Sequence, residues 1–411
     1  MTPRVPFREI IDFARGGGWG SDQPLPGHSL VAIIRGTDFS NVQAKRLVGV
    51  PHRWEKDSKL PQRTLRPGDV ILEISGGSSA RGQSTGRTLF VDQSIIDSFD
   101  APVIPASFCR VVRFSSSVVP RYAYYGLQDM YNSGRAAGYE NQSTGISNFQ
   151  FERFLDAETL RLPSRFYQSA VASLLGALDD KIAVNEKIAA TVHRLARIQY
   201  LKATTSDVKM TTIGKIADIF DGPHATPKKT DSGPFFLSVS SLRGGRLMLE
   251  ESAHLSEQDF ERWTRRVTPQ QGDVLFSYET RLGEAALMPP GIRACLGRRM
   301  ALLRPREEEV GPRTLLNAFL SESFQGVIRQ RAVHGATVDR IPLTELASWP
   351  IAVPAGDSQR LELALRELDD LATVKGRESG SIAALRNTLL PGLMSGAIRM
   401  RDAEKAVEDA T

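Results

Sequence analysis

The sequence predicts an α+β protein in which one pattern, a mixed block followed by a long helix, occurs twice. Three observations predict this class. Short strand-like runs separated by Gly, Pro and Ser occupy residues 1–163 and again residues 206–354. Each block precedes a long run in which apolar residues recur every three or four positions, the spacing of a helix. Short segments also recur in the same order in both halves, which is typical of an internal repeat.

The composition is that of a folded protein with two or three domains, since 41% of the 411 residues are apolar and 24% are charged. The 52 basic and 47 acidic residues leave a net charge of +5, which permits a nucleic-acid partner without requiring one. No run approaches the length of a membrane span, and the first residues lack the apolar core of a signal peptide. We therefore expect a cytoplasmic protein with no membrane contact.

The first half of the chain predicts a domain over 1–163 and a long helix over 164–205. Pro163 and Ser164 are typical of the start of a helix. The apolar stripe of this helix includes Val171, Leu175 and Val192. Strands are predicted at residues 30–34, 69–74, 88–91 and 108–114.

The second half predicts a domain over 206–354, a long helix over 355–401 and an acidic flexible tail over 402–411. The pair Pro391-Gly392 should kink or end this helix. The middle of its apolar stripe is interrupted by polar residues, namely Lys375, Ser379 and Arg386. Strands are predicted at residues 235–242, 273–278, 284–288 and 300–305.

The repeat can be read directly from short segments. Gly68-Asp69-Val70 recurs as Gly272-Asp273-Val274, and Leu178-Asp179-Asp180 recurs as Leu368-Asp369-Asp370. Because the first pair lies inside the blocks and the second inside the long helices, the two halves share one architecture.

The sequence contains no recognisable catalytic or metal-binding motif. Gly77–Ser84 nearly spells a phosphate-binding loop, but Gln83 stands where the lysine that contacts the phosphates is required. A nucleotide-dependent enzyme is therefore the weakest of the alternatives. Cys109 and Cys295 are too few for a cysteine zinc site. We therefore expect neither catalytic nor metal-binding residues in this chain.

The loop Asp221–Thr230 has the composition of a phosphate contact, with two lysines, a histidine and threonines among turn-forming residues. Arg281 follows a predicted strand end and can reach a base edge, and Arg298-Arg299 can contact a DNA backbone. A solvated loop and surface ion pairs are the alternatives at these positions.

Several segments resemble the specificity subunit of a type I restriction-modification system. ILEISGGSSARGQSTGRTLFV (71–91) is similar to the glycine-rich strand-loop-strand of one class of its target recognition domains. NQSTGISNFQFERFL (141–155) resembles the segment that closes such a domain. Residues 213–242 and 273–287 resemble the opening and central hairpin of another class. LLGALDDKIAVNEKIAATVHRLA and LRNTLLPGLMSGAIRM resemble the conserved helices.

This resemblance implies two target recognition domains separated by two long antiparallel helices that form a coiled-coil spacer, related by a pseudo-twofold repeat. Such a subunit is non-catalytic and reads a bipartite, asymmetric site in double-stranded DNA. It directs adenine methylation or restriction by two methyltransferase subunits and by restriction/translocase subunits. S-adenosylmethionine, ATP and magnesium belong to those partners. The alternative is a stand-alone, two-module DNA-binding adaptor or regulator, whose helices would have polar outer faces.

The candidate residues for DNA contact lie on predicted loops, and the candidate residues for contact with partner subunits lie on the two predicted long helices. The candidates for DNA binding are Ser78, Ser79, Arg81, Gln83, Ser84, Tyr139, Asn141, Thr144, His224, Thr226, Lys228, Lys229, Tyr278, Thr280, Arg281 and His334. The candidates for partner binding are Leu174, Leu178, Ile182, Leu365, Leu368 and Leu389.

Overall fold

The computed structural model describes residues 2–76, 84–143, 146–223, 225–335 and 338–410. Contacts divide the chain into two compact units: unit 1 is Met1–Lys187 with Lys375–Thr411, and unit 2 is Ile188–Val374. Each unit contains one mixed block and one segment of each long helix. None of the described helices is both long and apolar enough to span a membrane.

The mixed block of unit 1 alternates short strands with short helices. Its strands are β1 (Arg4–Pro6), β2 (Ile11–Gly16), β3 (His28–Ile34), β4 (His52–Lys56), β5 (Val70–Glu73), β6 (Ser75–Gly76), β7 (Thr88–Phe90), β8 (Val103–Pro105), β9 (Cys109–Phe114), β10 (Glu140–Ser143), β11 (Ile146–Phe149) and β12 (Thr159–Arg161). The helices are α1 (Phe7–Ile10), α2 (Phe39–Gln43), α3 (Leu60–Arg63), α4 (Gln93–Ile96), α5 (Pro120–Asn132), α6 (Phe151–Ala157) and the long α7 (Arg165–Ser206).

The central sheet of unit 1 has the strand order β2-β9-β5-β7 and is antiparallel throughout. Strand β5 is completely buried because alternate residues face two different cores. Val70 and Leu72 pack in a cluster with α5, while Ile71 packs in a second cluster. Smaller sheets, β4-β3-β8 and β10-β11-β6, complete the block. The strands predicted in this half are confirmed as β3, β5, β7 and β9.

Unit 2 contains the second mixed block. Its strands are β13 (Val208–Thr212), β14 (Ala217–Asp221), β15 (Thr230–Leu237), β16 (Leu242–Arg243), β17 (Arg246–Leu247), β18 (Ala253–His254), β19 (Val274–Ser277), β20 (Ala285–Leu287), β21 (Ala294–Leu296), β22 (Met300–Pro305) and β23 (Pro350–Pro354). The remaining helices of the chain are α8 (Ile213–Ile216), α9 (Glu257–Trp263), α10 (Pro312–Leu320), α11 (Glu322–Arg331), α12 (Leu343–Leu346), the long α13 (Ser358–Ser395) and α14 (Met400–Glu408).

The two blocks share one topology. The central sheet of unit 2 has the order β14-β22-β19-β20, which repeats β2-β9-β5-β7 of unit 1. In each block one pair of strands is parallel, β3 with β8 and β15 with β21. The strands predicted in this half are confirmed as β15, β19, β20 and β22. The first of these ends at Leu237 rather than at residue 242, because Val239–Ser241 forms a 3-10 turn.

The repeated Gly-Asp-Val segment encodes a turn that is closed by a buried ion pair. In unit 1 the carboxylate of Asp69 accepts two hydrogen bonds from the guanidinium of Arg113, both at 2.7 Å, and a third from a backbone amide. In unit 2 Asp273 accepts equivalent bonds from Arg304 at 2.9 and 2.8 Å. The preceding glycine has a positive φ in both turns, 94° and 89°, which explains why glycine recurs there.

The long helices pack side by side within unit 1. Asp179 of α7 accepts a hydrogen bond from Arg386 of α13 at 2.6 Å, and Lys181 pairs with Glu378 at 3.0 Å. Because residue numbers rise along α7 as their partners fall along α13, these two segments are antiparallel. The polar position at Arg386 therefore serves a partly buried ion pair with the neighbouring helix.

In unit 2 the same helices pack through small residues. Ala189, Val192 and Ala372 form one buried cluster. His193 is half-buried beside them, and burial, together with the charges of Arg246 and Arg197, lowers its pKa to about 4. This histidine is therefore neutral near pH 7.

The first long helix agrees with its predicted bounds of 164–205, since α7 spans Arg165–Ser206. The second differs from its predicted bounds of 355–401, since α13 spans Ser358–Ser395. Pro391 lies inside α13 and does not end it. Burial of Leu389, Leu390 and Leu393 in the core of unit 1 explains this, because tertiary packing stabilises the last turn despite the missing amide hydrogen bond. The helix ends at Ser395, followed by Gly396 with a φ of 81°.

The end of the chain also differs from the expected flexible tail over 402–411. Met400–Glu408 forms α14, and Ala403 is fully buried in the core of unit 1. The acidic composition of this segment marks the exposed face of a helix, whose other face packs against unit 1.

Loss of the buried carboxylate should destabilise unit 2. We expect Asp273→Ala to lower the free energy of unfolding by about 3 kcal/mol, because Arg304 is left without its counter-charge. Urea denaturation measures this. The control is Asp218→Ala, which removes an exposed pair with Arg306 and should cost less than about 1 kcal/mol. Equal losses in the two variants would contradict a structural role for the Gly-Asp-Val turn.

Candidate nucleic-acid interface

In unit 2 three strand ends meet at the turn Gly297–Arg299, which joins β21 to β22. The amide of Gly297 donates to Leu237, the last residue of β15, at 2.7 Å. Gly222, just after β14, donates its amide to the first residue of β22 at 2.9 Å. Tyr278, just after β19, donates its amide to the last residue of the turn at 3.2 Å. The loops that follow these strands therefore lie together at one end of the unit.

The loop after β14 presents exposed polar side chains at this end. Thr226, Lys228 and Lys229 are all exposed, as a phosphate-contacting loop requires. His224 lies outside the described residues. An open cavity of about 340 Å³ lies beside the turn. Its lining residues are Thr226, Phe236, Ser238, Val239, Ser240, Arg298 and Arg299.

The two arginines of the turn differ in how they are held. The guanidinium of Arg299 lies 3.2 Å from the carboxylate of Glu279 and donates to the hydroxyl of Thr280 at 3.0 Å. Arg298 is exposed, and its side chain has no hydrogen-bond or ion-pair partner among the described residues. It is therefore the cation of this turn that is free to meet an external anion or base edge.

The structure corrects the role expected of Tyr278. Its side chain is 4% exposed, belongs to the core of unit 2 and donates its hydroxyl to the carbonyl of Arg298 at 2.9 Å. Burial, with the nearby charges of Glu279 and Asp221, raises its pKa to about 12. Tyr278 therefore supports the turn and does not offer its ring or hydroxyl to a ligand.

The other candidates of unit 2 lie at the surface of the same end. Thr280 has a positive φ of 70°, and Arg281 pairs with Glu284 at 3.0 Å. His334 is largely exposed, with its Nδ1 atom 3.1 Å from Asp339. The backbone of Arg340 bridges to Glu279, which joins this loop to the others.

Unit 1 builds the same arrangement from different residues. The turn that joins β8 to β9 is Ala106–Phe108, and the amide of Ala106 donates to Ile34 at the end of β3 at 2.8 Å. Gly17, just after β2, donates to the first residue of β9 at 2.9 Å, and Ile74, just after β5, donates to Phe108 at 2.9 Å. Each bond has its counterpart in unit 2, so Gly17 corresponds to Gly222 and Ser107-Phe108 to Arg298-Arg299.

Most of the residues proposed from the sequence in unit 1 lie outside the described residues. These residues are Ser78, Ser79, Arg81, Gln83 and Thr144. Among the described residues nearby, Gly76 of β6 pairs with Ser147 of β11. Ser84 is half-buried, and Asn141 is exposed on β10.

Tyr139 is the second correction. Its ring packs against Phe149 and Phe154 at 5.8 Å, and its hydroxyl donates to Glu158 at 2.9 Å. Partial burial and that carboxylate raise its pKa to about 12. Tyr139 therefore holds the hairpin against the core, and its hydroxyl is already bound within the chain.

Sequence reasoning missed the residues at the start of the chain and at the β8–β9 turn. Trp19 is 41% exposed and Phe108 is 61% exposed. Trp19 follows Gly18, whose amide donates to the carbonyl of Pro105 at 2.9 Å, and Phe108 lies in the turn that follows Pro105. The guanidinium of Arg53 lies over the Trp19 ring at 4.8 Å. One sequence signal exists, since Gly17 precedes its Gly-Asp-Val segment by nearly the same distance as Gly222 precedes the second.

The described residues do not bring together three potential metal ligands at any point. Burial raises the pKa of both thiols, Cys109 and Cys295, to about 12. Neither cysteine is therefore a thiolate nucleophile at neutral pH.

The structure corrects three of the six residues proposed for partner binding. Leu178, Leu365 and Leu389 are at most 4% exposed and pack in the cores of their own units. Leu174, Ile182 and Leu368 are partly buried against such clusters. The helices nevertheless expose other apolar side chains, namely Phe166, Val184, Leu195, Ile198, Leu201, Leu363, Leu371 and Val374.

No family model and no curated protein matches this chain. Solved structures do. The S subunit of a type I restriction-modification system from M. genitalium matches with a TM-score of 0.54 at 13% identity, over 96% of both chains. This likeness shows that the chain has the fold of an S subunit, and the mixed helix and strand class predicted from the sequence is confirmed.

Two further solved structures match over nearly the whole chain with lower scores. The HsdS subunit from Thermoanaerobacter tengcongensis has a TM-score of 0.34 at 14% identity, over 96% of this chain and 97% of that one. A structure described as the basis of complex assembly and conformational transition of the type I R-M system has a TM-score of 0.39 at 15% identity, over 96% and 98%.

Gly222 lies so close to the turn Gly297–Arg299 that a side chain at this position should destabilise unit 2. A Cβ atom there would lie 2.6 Å from the carbonyl oxygen of Gly297 and 2.8 Å from Leu296. We expect Gly222→Ala to lower the free energy of unfolding by about 2 kcal/mol, because backbone must move. Gly326→Ala in α11, where only an arginine end lies nearby at 3.9 Å, should leave stability unchanged or raise it. Thermal unfolding distinguishes the two, and a neutral Gly222→Ala would refute the close packing.

Proposed function

We propose that this chain is the DNA sequence-specificity subunit of a type I restriction-modification enzyme. It has no catalytic activity of its own and reads a bipartite, asymmetric site in double-stranded DNA. Partner subunits perform adenine methylation and DNA cleavage, and they hold S-adenosylmethionine, ATP and magnesium. The chain acts in the cytoplasm, where its DNA and its partners are.

One observation carries this proposal: two units with the same topology and turn hydrogen bonds end in loops of different chemistry. Strands β5 and β19 occupy equivalent positions in the central sheets of the two units. The turns beside them nevertheless differ, since Ser107-Phe108 in unit 1 corresponds to Arg298-Arg299 in unit 2. A shared frame with different loops is what two readers of different base sequences need, because the frame places the loops and the loops contact the bases.

The long helices support a fixed distance between two half-sites. Helix α7 has 42 residues and is therefore about 60 Å long. Each helix contributes residues to both units. We propose that the helix pair sets the number of base pairs between the two halves of the DNA site.

Exposed apolar residues on the helices favour a subunit over a stand-alone adaptor. Leu195, Ile198 and Leu201 are 40%, 52% and 62% exposed on α7. Leu371 and Val374 are 42% and 56% exposed on α13. A protein that worked alone would be expected to place polar residues at such positions, so we propose that two methyltransferase subunits, and with them the restriction/translocase subunits, dock here.

Partner-dependent methylation tests the proposal. The full chain is mixed with a type I methyltransferase subunit from the same source organism, S-adenosylmethionine and genomic DNA that lacks the modification. Modified adenines are then mapped by sequencing. We expect methylation at a single split sequence only when both proteins are present. Methylation without sequence preference would contradict the proposal, and so would specific DNA binding by the chain with no effect on the partner.

The exposed lysines of the β14 loop should contact phosphate rather than bases. We expect Lys228→Ala to weaken binding of the assembled complex to all sequences alike and to lower the slope of log K against log salt by about 1. Fluorescence anisotropy on specific and random duplexes measures both quantities. Lys215→Ala is the matched control, since this exposed lysine precedes β14 at its other end. A changed base preference in Lys228→Ala would refute the phosphate assignment.

A further inference from the structure

We propose that Phe108 reads a thymine through its methyl group, so that unit 1 recognises part of its half-site by apolar contact where unit 2 uses a cationic turn. This inference rests on the proposed function and adds the chemistry by which one unit distinguishes bases.

The backbone of Phe108 is held from both sides. The turn is closed by a hydrogen bond from the amide of Cys109 to Ala106 at 2.8 Å. The carbonyl of Phe108 accepts the amides of Ile74 at 2.9 Å and Ser75 at 3.2 Å. The side chain is therefore presented from a fixed position rather than from a loose loop, which is what discrimination between base pairs requires.

Folding does not account for a phenylalanine at this position. Unit 1 buries Phe7, Phe114 and Phe154 in its core, with rings that contact one another. Phe108 is 61% exposed and belongs to none of these clusters. Because burial is what makes an aromatic side chain stabilising, an aromatic ring left in water contributes little to stability.

The surroundings of Phe108 belong to the candidate interface. The segment Gly16–Trp19 runs along the same turn, with Gly18 bonded to Pro105 at 2.9 Å, and Trp19 is 41% exposed. Ser75, whose amide donates to the carbonyl of Phe108, pairs with Asn148 of β11, so the β10–β11 strand pair lies at the same end. Two exposed aromatic rings thus lie where the loops of the unit gather, and such apolar exposure at a functional end marks a contact surface.

The corresponding position in unit 2 shows that the frame does not dictate this residue. Arg299 accepts at its carbonyl from Tyr278 just as Phe108 accepts from Ile74. One unit therefore places an apolar ring, and the other a guanidinium, on the same turn. The turn keeps its backbone hydrogen bonds while its side chain differs, so the backbone does not require a phenylalanine at this position.

The chemistry of a phenyl ring limits its target on DNA. It has no donor or acceptor for base edges and no charge for phosphate. In the major groove the apolar group that distinguishes one base from the other three is the methyl group of thymine, and phenylalanine is among the residues that contact it. Deoxyuridine lacks only this methyl group, so it probes the contact without altering base pairing.

The test uses the complex of the full chain with its methyltransferase subunit and a fluorescent duplex that carries the mapped site. Each thymine of both half-sites, on both strands, is replaced singly by deoxyuridine. We expect one replacement, in the half-site read by unit 1, to weaken binding of the unaltered complex about fourfold, the value for one buried methyl group. Phe108→Ala should weaken binding to the natural site at least as much.

The double change decides the question. On the Phe108→Ala complex that same deoxyuridine should cause no further loss, whereas replacements elsewhere should act as before. Phe108→Ala should leave the salt dependence and the thermal unfolding unchanged, since no charge and no core contact is removed. Phe166→Ala is the matched control, because this phenylalanine is 85% exposed at the start of α7 and lies on another part of unit 1.

Two results would overturn the inference while the unaltered complex keeps its sequence preference. One is unchanged affinity in Phe108→Ala. The other is a loss that adds to the effect of every deoxyuridine, which would indicate a wedge between bases or a structural role. An unaltered complex without any sequence preference would instead overturn the proposed function, and the inference with it.

Discussion

The buried ion pair of the Gly-Asp-Val turn is the constraint on which each unit depends. Asp69 closes the turn before β5 and binds Arg113 of the neighbouring β9, whose guanidinium in turn lies 5.0 Å from the ring of Phe13 on β2. Three adjacent strands are thereby fixed in register. Arg304, over the ring of Phe220 at 5.4 Å, makes the same connection in unit 2. A shift in strand register would separate this carboxylate from its arginine, and a buried carboxylate without its partner is costly. The ion pair therefore fixes the register of the strands and the position of the loops that follow them.

The sequence predicted the parts of the fold that local patterns encode. Apolar runs such as 69–74 and 300–305 are strands because both faces are buried, and the glycine of the repeated turn has the backbone conformation that only glycine adopts easily. The failures lie where long-range packing decides. Pro391 argues against a helix locally, yet four apolar neighbours bury their side chains in unit 1 and the helix continues. The acidic tail is a helix because Ala403 reaches the same core.

The candidate interface was predictable in outline and not in detail. Composition identified the β14 loop, where Lys228 and Lys229 are exposed. Tyr139 and Tyr278 have the residue type of DNA contacts, but both hydroxyls bind groups within the chain, and no local pattern reveals a tertiary hydrogen bond. Phe108 was missed for the opposite reason: a phenylalanine beside a strand usually belongs to the core, and only its exposure in the folded chain separates it from Phe114.

Backbone strain gives a further reason to regard these turns as recognition elements. Thr280 is β-branched and has a φ of 70°, a conformation that costs about 1–3 kcal/mol and persists only where the surroundings impose it. The next residue, Arg281, donates its amide to Glu279 at 2.9 Å, and Arg299 binds the threonine hydroxyl at 3.0 Å. The hydroxyl of the strained residue thus holds the guanidinium of Arg299, a contact that glycine at this position could not make.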